Sequence, residues 1–219
     1  MEKVTSLNHI CRLLESDRSY MIAGFAEVGT PYTLIDCLLA CGTRDITLIA
    51  NDTGDATKPG VSQLIFEKRI KKAIVSHEGK NPETGRQVMN GELELELVPQ
   101  GTLTERIRCG GAGIGGVYLK TGVGTPIADG KEIRTLDGAD YLLELPLHAH
   151  IALLHAEKAD RLGNLIFHMM ARNYNPIMGT AADLVIVEAN QIVEPGTLSP
   201  EEIMLPGAFV DYIVQAERR

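Results

Sequence analysis

A short segment near the amino terminus, residues 20–31, has the residue types of an anion-binding turn. The apolar run from Tyr20 to Ala23 predicts a buried strand, and Thr30-Pro31 after the turn is typical of a helix start. Backbone N–H groups at such a helix start favour phosphate or carboxylate. A P-loop is excluded, because Thr30-Pro31 follows the glycine where that loop has Lys and then Ser or Thr. The segment is either an anion-binding loop or a plain strand-to-helix turn that needs glycine.

Seven glycines fall between Gly110 and Gly124, and residues 111–116 fit the pattern G-x-G-x-x-G. That pattern marks a dinucleotide site only where a strand precedes it and a helix follows. Here a predicted helix, Thr102 to Arg108, precedes it, and a β-branched, aromatic stretch from Val117 follows. We therefore exclude a nicotinamide or flavin site.

Two amide side chains follow predicted strands. Asn51 comes after the strand Ile46–Ala50, and Gln100 after the alternating run Leu93–Val98. Ligands of open parallel sheets bind outside the carboxyl ends of the strands. An amide offers an acceptor and two donors, enough to hold a carboxylate without adding charge. Turn formation is an equally common role for residues such as Asn51-Asp52-Thr53.

Other reactive residue types have a simpler explanation. We expect no metal site, because the histidines near the predicted strand 151–154 lie at no metal-ligand spacing from Cys or acids. We expect no disulfide framework: Cys37 and Cys41 share the apolar side of one helix, whereas the other two cysteines are isolated in sequence. The basic run 68–72 and the alternating acids of 92–96 are expected to face solvent. The histidines are His148, His150 and His155, the isolated cysteines are Cys11 and Cys109, and the acids are Glu92, Glu94 and Glu96.

Composition limits the class of protein. The chain has 219 residues, is 44% hydrophobic and carries a formal net charge of −8, so a nucleic-acid partner is not expected. No apolar run reaches the ~18 residues of a membrane-spanning helix. The start of the chain lacks a signal-peptide pattern, which predicts a cytoplasmic protein.

The order of predicted elements favours an α/β fold. Strands and helices alternate through the first two-thirds, and the half-polar run Leu93–Val98 is typical of an edge strand. Asp129-Gly130 and Asp137-Gly138 predict antiparallel hairpins within residues 126–146. We expect a single domain over residues 1–219, with an open, mostly parallel sheet, flanking helices and a β-hairpin-rich excursion.

Taken together, these motifs resemble the α (A) subunit of the two-subunit family I CoA-transferases, of the acetate or butyrate–acetoacetate type. The resemblance runs from about Tyr20 to about Val214 and keeps the order of the motifs. The matching segments are Ala23–Pro31, Leu48–Thr53, Asn81–Gly85, Pro99–Leu103, Glu105–Arg108, the glycine cluster through Thr125, and Ala171–Pro176. One departure lies in the first segment, where Ala23 replaces the first glycine of the family's G-G-F-x-x-x-G-x-P coenzyme A signature.

The resemblance implies an enzyme that exchanges CoA between an acyl-CoA and a short-chain carboxylate or 3-oxo acid such as acetate, butyrate or acetoacetate. CoA is then a substrate, with no permanently bound cofactor. The nucleophilic glutamate of this family lies in the β subunit, in a Ser-Glu-Asn-Gly-like motif, and forms a glutamyl-CoA thioester. This chain lacks that motif. Ser76-His77-Glu78-Gly79 comes nearest, and we expect that Glu78 is not the nucleophile.

By the same resemblance, residues 23–29 form a coenzyme A-binding loop, while Asn51 and Gln100 contact the substrate carboxylate or help the oxyanion site. The loop residues are Ala23, Gly24, Phe25, Ala26, Glu27, Val28 and Gly29. The expected partner is a β subunit, in an α2β2 or α4β4 assembly. The alternative hypothesis is a non-catalytic sugar-phosphate-binding or ligand-sensing α/β module that has no partner.

Overall fold

A mostly parallel, eight-stranded sheet forms the centre of the computed structural model, which describes residues 2–217; Met1, Arg218 and Arg219 lie outside the described residues. The helices are α1 (Leu7–Cys11), α2 (Tyr32–Ala40), α3 (Val61–Phe66), α4 (Pro82–Met89), α5 (Gln100–Ala112) and α6 (Asn175–Met178). The strands are β1 (Ser19–Ile22), β2 (Ile46–Ala50), β3 (Ile70–Val75), β4 (Glu94–Leu97), β5 (Val117–Leu119), β6 (Ile133–Leu136), β7 (Ala139–Glu144), β8 (Ala149–Asp160), β9 (Leu165–Ile166), β10 (Ala182–Val193) and β11 (Tyr212–Gln215). The predicted fold class is confirmed. No helix in the described part of the chain combines the length and apolar character needed to span a bilayer.

The first strand lies in the middle of the sheet. Strand order is β11-β10-β8-β1-β2-β3-β4, all parallel, with β9 antiparallel on β8. The chain therefore builds outward from β1 to β4, then returns to the other side of β1. At such a reversal the loops leave neighbouring strands in opposite directions and open a crevice at their carboxyl ends. As predicted, β4 is an edge strand of this sheet.

Alternate residues of the central strands enter two separate cores. Met21 packs in the core that includes Leu103 of α5, whereas Tyr20 and Ile22 pack in the core that includes Leu34 of α2. A parallel sheet covered on both faces needs apolar residues at successive positions. This explains why Tyr20 to Ala23 reads as a continuous apolar run.

The predicted hairpin excursion is a three-stranded antiparallel sheet of order β5-β7-β6. Asp137 (φ 48°) and Gly138 (φ 76°) form the turn between β6 and β7, as their sequence predicts. Two strands of the main sheet are much longer than predicted. Strands β8 and β10 run 12 residues each, because their mutual pairing continues to Asp160 and Val193, well past β1.

The start of α2 differs from the prediction. The helix begins at Tyr32, with Pro31 at the N-cap position and no capping side chain. Thr30 is instead buried against Gly24, where a Cβ on Gly24 would overlap the Thr30 hydroxyl. Thr30 therefore packs the turn rather than capping the helix.

The charged runs do not simply face solvent as expected. Glu96 lies 2.9 Å from Arg106 and 3.3 Å from Lys72, with only about a third of its side chain exposed. Burial alone would raise the pKa of Glu96, but the bonded Arg106 guanidinium holds it below its ordinary value. Each cation of the basic run pairs with an acid, so this run offers no free anion-binding patch. The pairs are Lys68–Glu92, Arg69–Glu67, Lys71–Asp17 and Lys72–Glu94.

The cysteine prediction is wrong for two of the four residues. Cys11 and Cys41 form a disulfide between α1 and the end of α2, with their Cα atoms 5.7 Å apart. Their separation of 30 residues gives no spacing signal, since the pairing depends on how the two helices pack. Cys37 and Cys109 are buried free thiols.

The first glycines of the cluster lie inside α5 and serve helix packing. A Cβ on Gly110 would overlap the carbonyl of Leu147, and one on Gly111 would overlap Thr180. Gly113 then ends the helix with a positive φ of 67°. As predicted, a helix precedes the G-x-G-x-x-G run, so the context of a dinucleotide site is missing.

A matched pair of substitutions in α5 tests this packing. Gly110→Ala should destabilise the chain by about 1–3 kcal/mol, because backbone must move to admit the methyl group. The methyl group added by Gly101→Ala meets no atom within 4 Å, and this variant should be more stable by about 0.4–1 kcal/mol. Urea unfolding of both variants measures the difference, and equal midpoints would show that the packing argument is wrong.

Candidate functional site

The loop that follows β1 is a tight turn in a costly backbone conformation. Phe25 and Val28 exchange two backbone hydrogen bonds of 3.0 and 3.1 Å, which leaves Ala26 and Glu27 at the tip. Both tip residues have positive φ, 48° and 71°, although neither is glycine. Each costs on the order of 1 kcal/mol, so the surroundings must hold the turn in place.

Two asparagines that precede or begin α6 supply that support. Asn175 Nδ2 donates to the Gly29 carbonyl at 3.0 Å, and Asn173 Nδ2 donates to the Val28 carbonyl at 2.9 Å. A Cβ on Gly29 would come within 3.0 Å of Asn175 and Ala171. Gly29 is therefore needed both for its φ of 74° and for close approach to this segment.

A hydrogen-bonded Glu–His pair lies beneath the same region. The Glu188 carboxylate, 2% exposed, accepts a bond of 2.9 Å from the Leu34 N–H in the first turn of α2. The other oxygen of Glu188 lies 2.9 Å from His155 Nδ1, and the backbone N–H of His155 donates to Asn175 Oδ1. The carboxylate complements the helix N-terminus. His155 thus has the structural role expected of it.

The turn leaves backbone donors unused. Within residues 2–217, the N–H groups of Gly24, Ala26 and Glu27 donate to no acceptor. They lie beside Asn51 and Asp52, which follow the neighbouring strand β2. Donors fixed in this way can bind an anion or a developing oxyanion without reorganising.

Asn51 is 2% exposed, and its side chain is fully engaged. Its Nδ2 donates to Asp52 at 2.6 Å, while its Oδ1 accepts from Gln100 Nε2 at 3.1 Å and from the Ser76 hydroxyl at 3.2 Å. The structure therefore brings the two predicted amide residues together. Asn51 is the buried member of the pair, and Gln100 is the exposed member, at the start of α5. Direct contact of Asn51 with a substrate stays a prediction.

Two clefts meet at Phe25. We call the first, of about 370 Å³, the lysine cleft; it is lined by Phe25, Ala26, Glu27, Asn51, Asp52, Gly54, Asp55, Lys58, His77, Gly79 and Lys80. We call the second, of about 180 Å³, the tyrosine cleft; it is lined by Phe25, Gln100, Thr104, Asn173, Tyr174 and Ile177. The predicted loop and Gln100 thus border neighbouring clefts that share Phe25.

Tyr174 is a functional candidate that the sequence reasoning missed. It is 4% exposed, and its buried hydroxyl makes no hydrogen bond of ordinary geometry among the described residues, although the side chains of Thr104 and Gln100 lie close to it. Burial raises the pKa of this hydroxyl, although the nearby Thr104 and Gln100 partly offset the rise. An unpaired buried hydroxyl costs free energy, so its place beside Gln100 points to a bound group as its partner.

Lys58, Lys80 and His77 were also missed. His77 Nε2 lies 3.8 Å from Asp52 Oδ2 at the mouth of the lysine cleft. His77 follows β3 as Asn51 follows β2. Because ligands of open parallel sheets bind at the carboxyl ends of the strands, the same argument predicts His77 as a site residue. The lysines lie on irregular loops, which give no such signal. Glu78 is exposed and borders neither cleft.

Comparison with known proteins adds independent evidence. The family model for coenzyme A transferase matches residues 4–216. The acetate CoA-transferase subunit alpha of Escherichia coli K12 is 47% identical over 215 residues, which cover 98% of this chain and 97% of that one. The acetoacetyl-CoA:acetate/butyrate CoA transferase alpha subunit of Clostridium acetobutylicum is 43% identical, with 97% of each chain covered.

Solved structures agree on the fold. Glutaconate coenzyme A-transferase from Acidaminococcus fermentans has a TM-score of 0.83 at 17% identity, covering 97% of this chain and 75% of that one. An acyl-CoA transferase from Escherichia coli O157:H7, in a thioester complex with CoA, has a TM-score of 0.82 at 22% identity; this chain is 98% covered but spans only 47% of that chain. The match of the family model to nearly every residue, with relatives above 40% identity, shows that this chain belongs to the coenzyme A transferase family.

Proposed function

We propose that this chain is the α subunit of a two-subunit CoA-transferase, which moves CoA between an acyl-CoA and a short-chain carboxylate or 3-oxo acid such as acetate, butyrate or acetoacetate. The observation that carries this proposal is the 47% identity, over nearly the full length of both chains, to a subunit named for acetate CoA-transferase. Membership of a transferase family argues against the alternative of a sugar-phosphate-binding or ligand-sensing module.

In this proposal the loop Ala23–Gly29 binds the acyl-CoA. Gly24, Ala26 and Glu27, whose N–H groups have no protein acceptor, line a recess that would suit a thioester oxygen, whose negative charge grows as the carbonyl is attacked. Lys58 and Lys80, at the lysine cleft, supply positive charge for an anionic part of the same substrate. CoA acts as a substrate, and no permanently bound cofactor is required.

Gln100 and Tyr174 form the neutral grip for the acceptor carboxylate. Asn51 holds one amide hydrogen of Gln100, which fixes the side chain at the edge of the tyrosine cleft. The Tyr174 hydroxyl beside it has a donor to offer and no protein acceptor. A carboxylate between them would satisfy both groups once the cleft opens enough to admit it to the buried hydroxyl.

The attacking carboxylate comes from the partner β subunit. Glu78 lies outside both clefts, and the Glu27 carboxylate is held by the Tyr32 hydroxyl at 3.0 Å. The β-subunit glutamate would form an acyl anhydride and then a glutamyl-CoA thioester, which divides the exchange into easier steps. We propose an α2β2 or α4β4 assembly that works in the cytoplasm.

The division of labour can be tested by reconstitution. Purified alone, this chain should exchange no CoA between acetoacetate and an acyl-CoA, whereas addition of the β subunit should restore turnover. Mass spectrometry of the trapped intermediate should place the CoA thioester on the β subunit. The control Glu78→Gln should leave turnover in the assembly unchanged. A thioester on any acid of this chain would refute the proposal.

A second test separates binding from folding at Tyr174. Tyr174→Phe should raise the KM for the carboxylate substrate by about tenfold, because a hydrogen bond to a charged group contributes about 1.5 kcal/mol. It should not lower the free energy of unfolding, since the hydroxyl has no protein partner.

Tyr20→Phe is the matched control. Its hydroxyl donates to the Glu15 carbonyl at 2.7 Å, away from both clefts. This variant should lose about 1 kcal/mol of stability and keep its KM. Steady-state kinetics and urea unfolding of both variants measure the contrast. An unchanged KM in Tyr174→Phe would remove the tyrosine from the grip.

A further inference from the structure

Three of the four cysteines meet at one place, where α1 packs against α2. Cys11 ends α1, Cys37 lies inside α2, and Cys41 follows the end of α2. Their three sulfur atoms lie within 4.8 Å of one another, and Cys37 Sγ is 3.8 Å from Cys41 Sγ. None of these residues lines the lysine cleft or the tyrosine cleft, so the cluster is separate from the proposed reaction.

Two of the sulfurs already have the spacing of ligands around one cation. With metal–sulfur bonds of about 2.3 Å, three sulfurs in a plane around a cation are about 4 Å apart. Cys37 Sγ and Cys41 Sγ, at i and i+4, are 3.8 Å apart, whereas Cys11 Sγ is bonded to Cys41 Sγ and must move away from it after reduction to take the third position.

The number of ligands selects the metal. A structural zinc site takes four protein ligands in a tetrahedron, but among the described residues no His, Asp or Glu joins the three sulfurs. Thiolates are soft ligands that favour Cu⁺, which is satisfied by three of them. Cys11 and Cys41 are partly exposed, which gives the ion a path from solvent.

We propose that, when reduced, Cys11, Cys37 and Cys41 form a site for one Cu⁺ ion with three thiolate ligands. Uptake releases one proton from each thiol and changes no oxidation state. The disulfide between Cys11 and Cys41 is the competing form of the same cluster. Its formation passes two electrons to an acceptor such as a low-molecular-weight disulfide, and leaves one sulfur, too few to hold the ion.

The experiment is an anaerobic titration of the reduced full-length chain with Cu⁺ in competition with bicinchoninate. We expect one Cu⁺ per chain, and X-ray absorption should show three sulfur neighbours. Cys37→Ser and Cys41→Ser should each weaken binding by more than about tenfold. Cys109→Ser, which changes the buried cysteine outside the cluster, should retain the full stoichiometry. Circular dichroism verifies that each variant is folded.

Oxidation supplies the second arm of the experiment. A chromogenic thiol reagent should count four thiols in the reduced, denatured chain and two in the oxidised one, and the oxidised chain should not bind Cu⁺. The proposal is overturned if the reduced chain retains no Cu⁺, or if Cys37→Ser binds Cu⁺ with unchanged affinity. It is also overturned if one Zn²⁺ ion binds the three cysteines as tightly as Cu⁺ does.

Discussion

The parallel pairing of β1 with strands on both sides is the constraint on which the rest of the site depends. Tyr20 pairs with Leu48 of β2 and with Ile151 of β8, so the carboxyl ends of β1 and β2 lie side by side while β8 continues past them. The loop Ala23–Gly29 must then emerge next to Asn51, and the chain reversal at β1 keeps the space above them open. A strand order without this reversal would have covered the turn.

The tip of the turn shows how stability elsewhere supports an unfavourable local conformation. Ala26 and Glu27 hold positive φ only because Asn173, Asn175 and the buried Glu188–His155 pair fix the segments around them. The benefit is that three N–H groups without protein acceptors are held in a fixed turn before any ligand arrives. Preorganised donors lose no free energy to reorientation during the reaction.

Local patterns were enough to predict the sheet, its edge strand, the hairpin turn at Asp137-Gly138 and the motif-bearing loop. They failed where one element's role depends on another element that is distant in sequence. The spacing of the glycine cluster does not show that Gly110 packs against Leu147, and the position of Cys11 does not indicate a pairing with Cys41. The missing partner of Tyr174 is likewise a property of packing, because no spacing rule records an unpaired hydroxyl.

The balance of donors and acceptors around the clefts supports the proposal that the attacking carboxylate belongs to a different chain. A carboxylate on this loop would itself accept hydrogen bonds from the free N–H groups of Gly24, Ala26 and Glu27. Such hydrogen bonds stabilise the ionised form and lower the pKa of the carboxyl group. Its nucleophilicity would fall, and the donors would no longer be available to the oxyanion. The Glu27 side chain avoids this because the Tyr32 hydroxyl holds it. In the proposed assembly, a carboxylate that approaches from an opposing surface would meet the carbonyl carbon while the loop binds the oxygen, so both groups would act at full strength.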